Sequence, residues 1–231
     1  MQNHEKRTAR IVGALFLIAM AASLIGAGLI EPILAAPDLS GTGPANGNLV
    51  LSGVLLELLN GIAVIGIAVM MFPIFKKFNE ALALGYVAFR IVEAVIIFAA
   101  VISPLALLAL SQEFGSAGSA DLPIIWSSFV TLRTILAAQL LGIFFGLGAL
   151  LFYYLLYQSR LLPRFISLWG LIAVVLILSW NLLELIGISV SFGLFLALPI
   201  ILNEIFLGIW LIVKGFNSAP VSVEPSAAAL A

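Results

Sequence analysis

Glu57, Glu93, Glu184 and Glu204 each fall inside a long apolar run of this chain, and Arg90 shares a run with Glu93. An ionised side chain at the centre of a bilayer costs about 2.5–3.5 kcal/mol on insertion scales, so each needs a counter-charge, water or a proton. Two chemistries use such groups. Carboxyls held in oil relay protons, and a guanidinium held there binds an anionic group or anchors the carboxylates. The spacing favours concerted use. Arg90 and Glu93 are three apart and share a helix face, as do Glu57 and Asn60. Asn203 and Glu204 sit near the centre of the last run, Gln139 in the outer half of the fourth, and Asn181 and Glu184 in the outer third of the fifth. One arginine faces at least three deep carboxyls and cannot neutralise them all. Some must be protonated, hydrated or hydrogen-bonded to the amides. Two readings follow. In one, Arg90, Glu93, Glu57, Asn60, Asn203, Glu204 and Gln139 line a water-containing or ligand-binding cavity. In the other, they form a network that fixes helix packing and register. Glu184 is read separately, as a side chain reaching the outer headgroups.

The elements that must position these residues are legible from hydropathy. Hydrophobic residues make up 63% of the 231 and charged residues 9%, against about 45–50% and about 25% in a soluble domain. A membrane-crossing helix needs about 20 largely apolar residues. Six runs qualify: 11–30, 49–72, 82–110, 134–157, 165–188 and 192–213. Arg90 then lies about 12 Å from the start of its span at about 1.5 Å per residue. Pro104 kinks the third span or ends its regular part. Barrel strands would be about 10 residues of alternating polarity, and these runs are continuous. The expectation is an all-α polytopic membrane protein, a single six-transmembrane-helix bundle over 1–217 followed by a disordered tail, 218–231.

Lys6, Arg7, Arg10, Lys76, Lys77, Arg160, Arg164 and Lys214 all fall on one side of a six-span chain. The positive-inside rule makes that side cytoplasmic, N-in and C-in. The opposite loops carry Glu31, Asp38, Glu113 and Asp121 and are rich in Gly, Pro, Ser and Ala; Arg133 is the one basic residue there. The first apolar run exceeds the 7–15 residues of a signal h-region and is read as a retained span.

"KRTARIVGALFLIAMAASLIG", "FRIVEA", "YQSRLLPRFISLWGLIA" and "LNEIFLGIWLIVKGFN", in that order, resemble the bacterial family called domain of unknown function 4386 (DUF4386). The resemblance runs from about Lys6 to Asn217. It implies a multi-pass protein of the bacterial inner membrane and brings no activity and no catalytic motif.

Three spans share a pattern, "ELLNGI" from Glu57, "QLLGI" from Gln139 and "EIFLGI" from Glu204. A parallel repeat of helical hairpins would produce it, and so would chance in so apolar a chain. Gly142 and Gly146 form a GxxxG that lets helices approach within the bundle or across a dimer. Trp126, Trp169 and Trp210 read as interfacial anchors, Trp180 as packing, and Tyr153, Tyr154 and Tyr157 as markers of the inner interface.

Several classes of function fall away. With no cysteine, thiolate metal sites, disulfides and thiol catalysis are excluded. The only histidine is His4, in the polar N-terminus. No nucleophile elbow, HExxH or P-loop occurs, no span contains Asp, and Lys214 sits at a span end. No cofactor or metal is expected. Net charge −1 gives no reason to expect nucleic acid. The expected partners are the lipid bilayer, a small-molecule, ion or lipid ligand, and a second copy or another protein. The residues fit a small transporter-like or ligand-binding bundle. The alternative is a non-catalytic sensor, assembly or partner-binding component with structural charges; a lipid-modifying enzyme stays open behind both.

Overall fold

The computed structural model describes residues 2–35, 44–114 and 122–217. Among them no strand occurs. In a bilayer every backbone N–H and C=O must be satisfied within the segment, and continuous apolar runs do this as helices. The elements are α1 (Gln2–Leu34), α2 (Pro44–Phe75), α3 (Glu80–Ala100), α4 (Ile102–Phe114), α5 (Leu122–Arg133), a π-helical segment (Thr134–Leu140), α6 (Leu141–Ser159), α7 (Arg164–Leu185) and α8 (Gly193–Val213). They make six stretches long and apolar enough to cross a membrane, with α3–α4 and α5–π–α6 each serving as one. The expected disordered tail, 218–231, lies outside the described residues.

Local chemistry sets several boundaries. The Asn79 side chain accepts from Leu82 N–H and caps α3. Arg160 adopts φ +52° and ends α6. Asn217 then ties the chain end to that turn, its N–H donating to Leu161 O and its Nδ2 to Arg160 O. At the same end Lys77 meets Glu5 at 4.0 Å, so both described chain ends and the basic loops gather at one pole, here the terminal pole. At the opposite pole Trp126 Nε1 donates to Leu34 O.

The six spans form a ring in chain order. α1 packs on α2, α2 on α3, α3 on α6, α6 on α7 and α7 on α8, and α8 closes on α1. Lipid supplies no hydrophobic drive between helices, so the seams rely on close backbone approach at small residues. Closure is made at Gly13 and Gly208: a Cβ on Gly13 would lie 2.6 Å from Gly208 O. The Gly142/Gly146 pair packs inside the bundle, under Asn181 and Leu178 of α7. The outward surface is apolar, with Leu55, Ile186 and Phe195 exposed to lipid.

Inside the ring, the terminal half is filled by an aromatic cluster. Phe152 contacts Phe16, Phe75, Tyr86 and Tyr153 at centroid distances of 5.2–5.6 Å. Tyr153 is therefore core and not an interface marker.

Three spans depart from expectation. The first runs to Leu34, which brings Glu31 inside a helix. The third breaks at Val101, three residues before Pro104, whose ring falls in the first turn of α4 where proline is tolerated. The fourth begins at Leu122, not Thr134. Its polar stretch looks like loop, yet the hydroxyls of Ser127, Ser128, Thr131 and Thr134 all donate back to carbonyls three or four residues earlier. These bonds satisfy the polar atoms within the helix and let it continue.

Candidate functional site

Above the aromatic cluster the ring contains a half-open cavity of about 540 Å³. Its walls bring together Arg90, Glu93, Asn60, Gln139 and Glu204 from four different spans, and add Asn181 and Glu184. A second cavity of about 270 Å³ lies toward the non-terminal pole, under Glu31, Glu57 and Arg133. The two share Ser23, Asn60, Ile97, Thr134, Ala137, Ala138 and Leu141 as common wall. Polar groups thus continue from mid-bundle to that pole.

The deep station is built on α3. One helical turn separates Arg90 from Glu93, and Arg90 Nη1 donates to both Glu93 oxygens, at 3.1 and 2.9 Å. Both side chains are almost wholly buried. The guanidinium lies between the rings of Tyr86 (5.5 Å) and Phe145 (5.4 Å), an arrangement suited to a weakly hydrated cation. Gly148 of α6 packs beside it, where a Cβ would make ordinary contact, 3.6 Å from Arg90 Nε. That Nε makes no hydrogen bond among the described residues. Glu204, on α8, is nine-tenths buried and lines the cavity. Its carboxylate receives no hydrogen bond or salt bridge among the described residues; Arg90 and Glu93 are the charges acting on it.

The outer station rests on Arg133, which is 2% exposed. Its Nη2 and Nη1 donate to Glu57 at 2.6 and 3.1 Å, its Nε to Glu31 at 2.8 Å, and Nη1 also to Ala100 O at 3.2 Å. The last contact follows from the sequence. In a regular helix the Ala100 carbonyl would be bonded by the N–H of residue 104, which is proline and has none. The break at Val101 therefore leaves a buried carbonyl that Arg133 satisfies. Directly after Arg133 the helix widens into the π turn, closed by Leu141 N–H donating to Leu136 O. Such insertions cluster at functional sites. This one places Thr134, Ala137 and Ala138 on both cavities and Gln139 on the larger.

Arg90, Glu93, Asn60, Gln139 and Glu204 share the large cavity. Glu57 belongs to the outer station, and its partner is Arg133, not Arg90. Asn203 lines neither cavity; its Nδ2 donates to Ile166 O at 3.1 Å and couples α8 to α7. Glu184 lies at the end of α7. Its Oε1 accepts from Val190 N–H (2.8 Å) and Trp180 Nε1 (3.3 Å) at the cavity wall. Arg133 and Glu31 went unassigned from sequence. Their signal was available: one basic residue stood alone on an acidic side. Among the described residues no group of three or more His, Cys, Asp or Glu could hold a metal ion.

A closed ring of six apolar spans around a polar interior defines a polytopic α-helical membrane protein. The model of one family, described as a domain of unknown function (DUF4386), matches residues 11–215, and the chain belongs to that family. Neither the curated proteins nor the solved structures yield a match.

Proposed function

We propose that this protein is a small transporter-like, ligand-binding bundle of the bacterial inner membrane, with both chain ends on the cytoplasmic side. The observation that carries this reading is the cavity of about 540 Å³, within the usual pocket range of about 300–1,000 Å³, at the ring's centre. Its apolar wall is interrupted by Arg90, Glu93, Glu204, Asn60 and Gln139. Binding sites of membrane carriers characteristically combine mid-membrane position with polar groups from several helices. The aromatic cluster beneath supports closure toward the terminal pole, and the smaller cavity supports an approach from the opposite one. The concentration of Lys and Arg at the terminal pole supports the orientation.

The second reading, a sensor or assembly component with structural charges, is favoured by one specific observation. All three guanidinium nitrogens of Arg133 donate to Glu57, Glu31 or Ala100 O, so the outer station neutralises its own charges. Native mass spectrometry of wild type beside Arg90→Ala, with thermal stability in parallel, separates the two. A small molecule or lipid lost from a folded variant supports the ligand site. A bare protein whose only change is a large loss of stability supports the structural reading.

A further inference from the structure

Resting on the ligand-site reading, we infer that the cavity takes an organic cation, an ammonium-like charge carried on an apolar body, with Glu204 as its counter-ion. The cavity wall carries three carboxylates, Glu93, Glu184 and Glu204, and one cation, Arg90. Arg90 is already held by Glu93 through two hydrogen bonds. Glu204 is left nine-tenths buried, facing the cavity, with no donor among the described residues. Glu184 has two hydrogen-bond donors and no cationic partner among those residues. The net deficit is positive charge. An anionic ligand would add to the acidic excess.

The form of the charge follows from the rest of the wall. A hydrated divalent ion needs about six or more oxygen ligands, and no cluster of three such side chains gathers among the described residues. Ile67, Ile200 and Ile201 cannot replace its water. They suit an apolar body. Phe16 and Trp180 add ring surface of the kind that holds organic cations. Asn60, Gln139 and Asn181 stand on the same wall as neutral dipoles for polar substituents.

The test compares two ions of nearly equal shape and opposite charge, tetraphenylphosphonium and tetraphenylborate, on the full chain in lipid nanodiscs. Binding is measured for wild type, Glu204→Gln, Glu204→Asp and the cavity-filling Ala197→Phe. The expected result is preference for the cation by about tenfold or more. Glu204→Gln should lose that preference, Glu204→Asp should keep it, and Ala197→Phe should bind neither ion. Equal or tighter binding of the borate, abolished by Ala197→Phe, would overturn the cation assignment and leave the ligand site standing. Unchanged phosphonium affinity in folded Glu204→Gln would do the same. Binding of either ion that Ala197→Phe does not alter would overturn both. If Glu204→Gln does not fold, the wild-type preference between the two ions decides alone.

Discussion

Arg133→Met combined with Glu57→Gln should be far more stable than Arg133→Met alone. Arg133 is 2% exposed and the Glu57 side chain 11%, so the pair is screened by protein on nearly every side. Replacing Arg133 by methionine keeps much of the volume and removes four hydrogen bonds, two of them to Glu57. Breaking one side of a buried pair typically costs about 3–5 kcal/mol, because the remaining charge is uncompensated. The Glu31 arm adds little: its side chain is 53% exposed, and such pairs contribute about 0–1 kcal/mol. The Ala100 contact is made by a charged donor, and such bonds contribute about 1.5–3 kcal/mol, a loss that the double variant retains. In the double variant the uncompensated charge is gone and that part of the loss should return. Arg133→Lys should recover only part, since an ammonium cannot reproduce the two-nitrogen grip on Glu57. Unfolding of the purified protein by increasing SDS in mixed micelles reads all four stabilities. A cost for Arg133→Met below about 1 kcal/mol, or one that Glu57→Gln fails to relieve, would refute the reasoning that this is a desolvated ion pair.

Other consequences follow from the packing and the ring. Gly13→Val should destabilise by about 1–3 kcal/mol by forcing α1 away from α8, whereas Gly28→Ala should be nearly neutral, since a Cβ there meets nothing within 4 Å; the same unfolding assay measures both. Gly142→Leu should displace Asn181 and lower stability by a similar amount; a stability equal to wild type would mean that α6 and α7 do not meet there. The chain has no cysteine, so single introduced thiols are unambiguous labels. The proposed orientation, with both chain ends cytoplasmic, predicts that Ser127→Cys reacts with a membrane-impermeant maleimide on intact spheroplasts and Lys77→Cys only after lysis. The reverse pattern would invert the orientation.

The spans were legible because oil imposes one solution on a continuous apolar run. Their ends were not. The stretch from Ser127 to Thr134 has the composition of a loop, and hydropathy cannot see that each hydroxyl bonds its own helix. That one misreading moved Arg133 out of the bundle and so concealed the partner of Glu57. Pro104 was legible as an interruption, but its consequence, a free carbonyl at Ala100, needed the neighbouring span in place. Arg90 and Glu93 were readable as a pair because their spacing lies within one helix. Glu204 and Glu184 depended on the rotation of α8 and α7, which is set by contacts between spans. Asn203 and Glu204 are adjacent in sequence and so face different ways on a helix: one couples α7 to α8, the other opens on the cavity. Of the residues that open the shared "GI" pattern, Gln139 and Glu204 line the large cavity and Glu57 the smaller one.

On the proposed reading the buried charges line a space that holds a ligand. An experimental map of the protein drawn from its native membrane into polymer discs, without detergent exchange, would show it. Compact non-protein density is expected between Glu204 and the Arg90–Glu93 pair, absent from Ala197→Phe. A cavity closed by side chains, with Glu204 drawn onto Arg90 and no room for a guest, would contradict it.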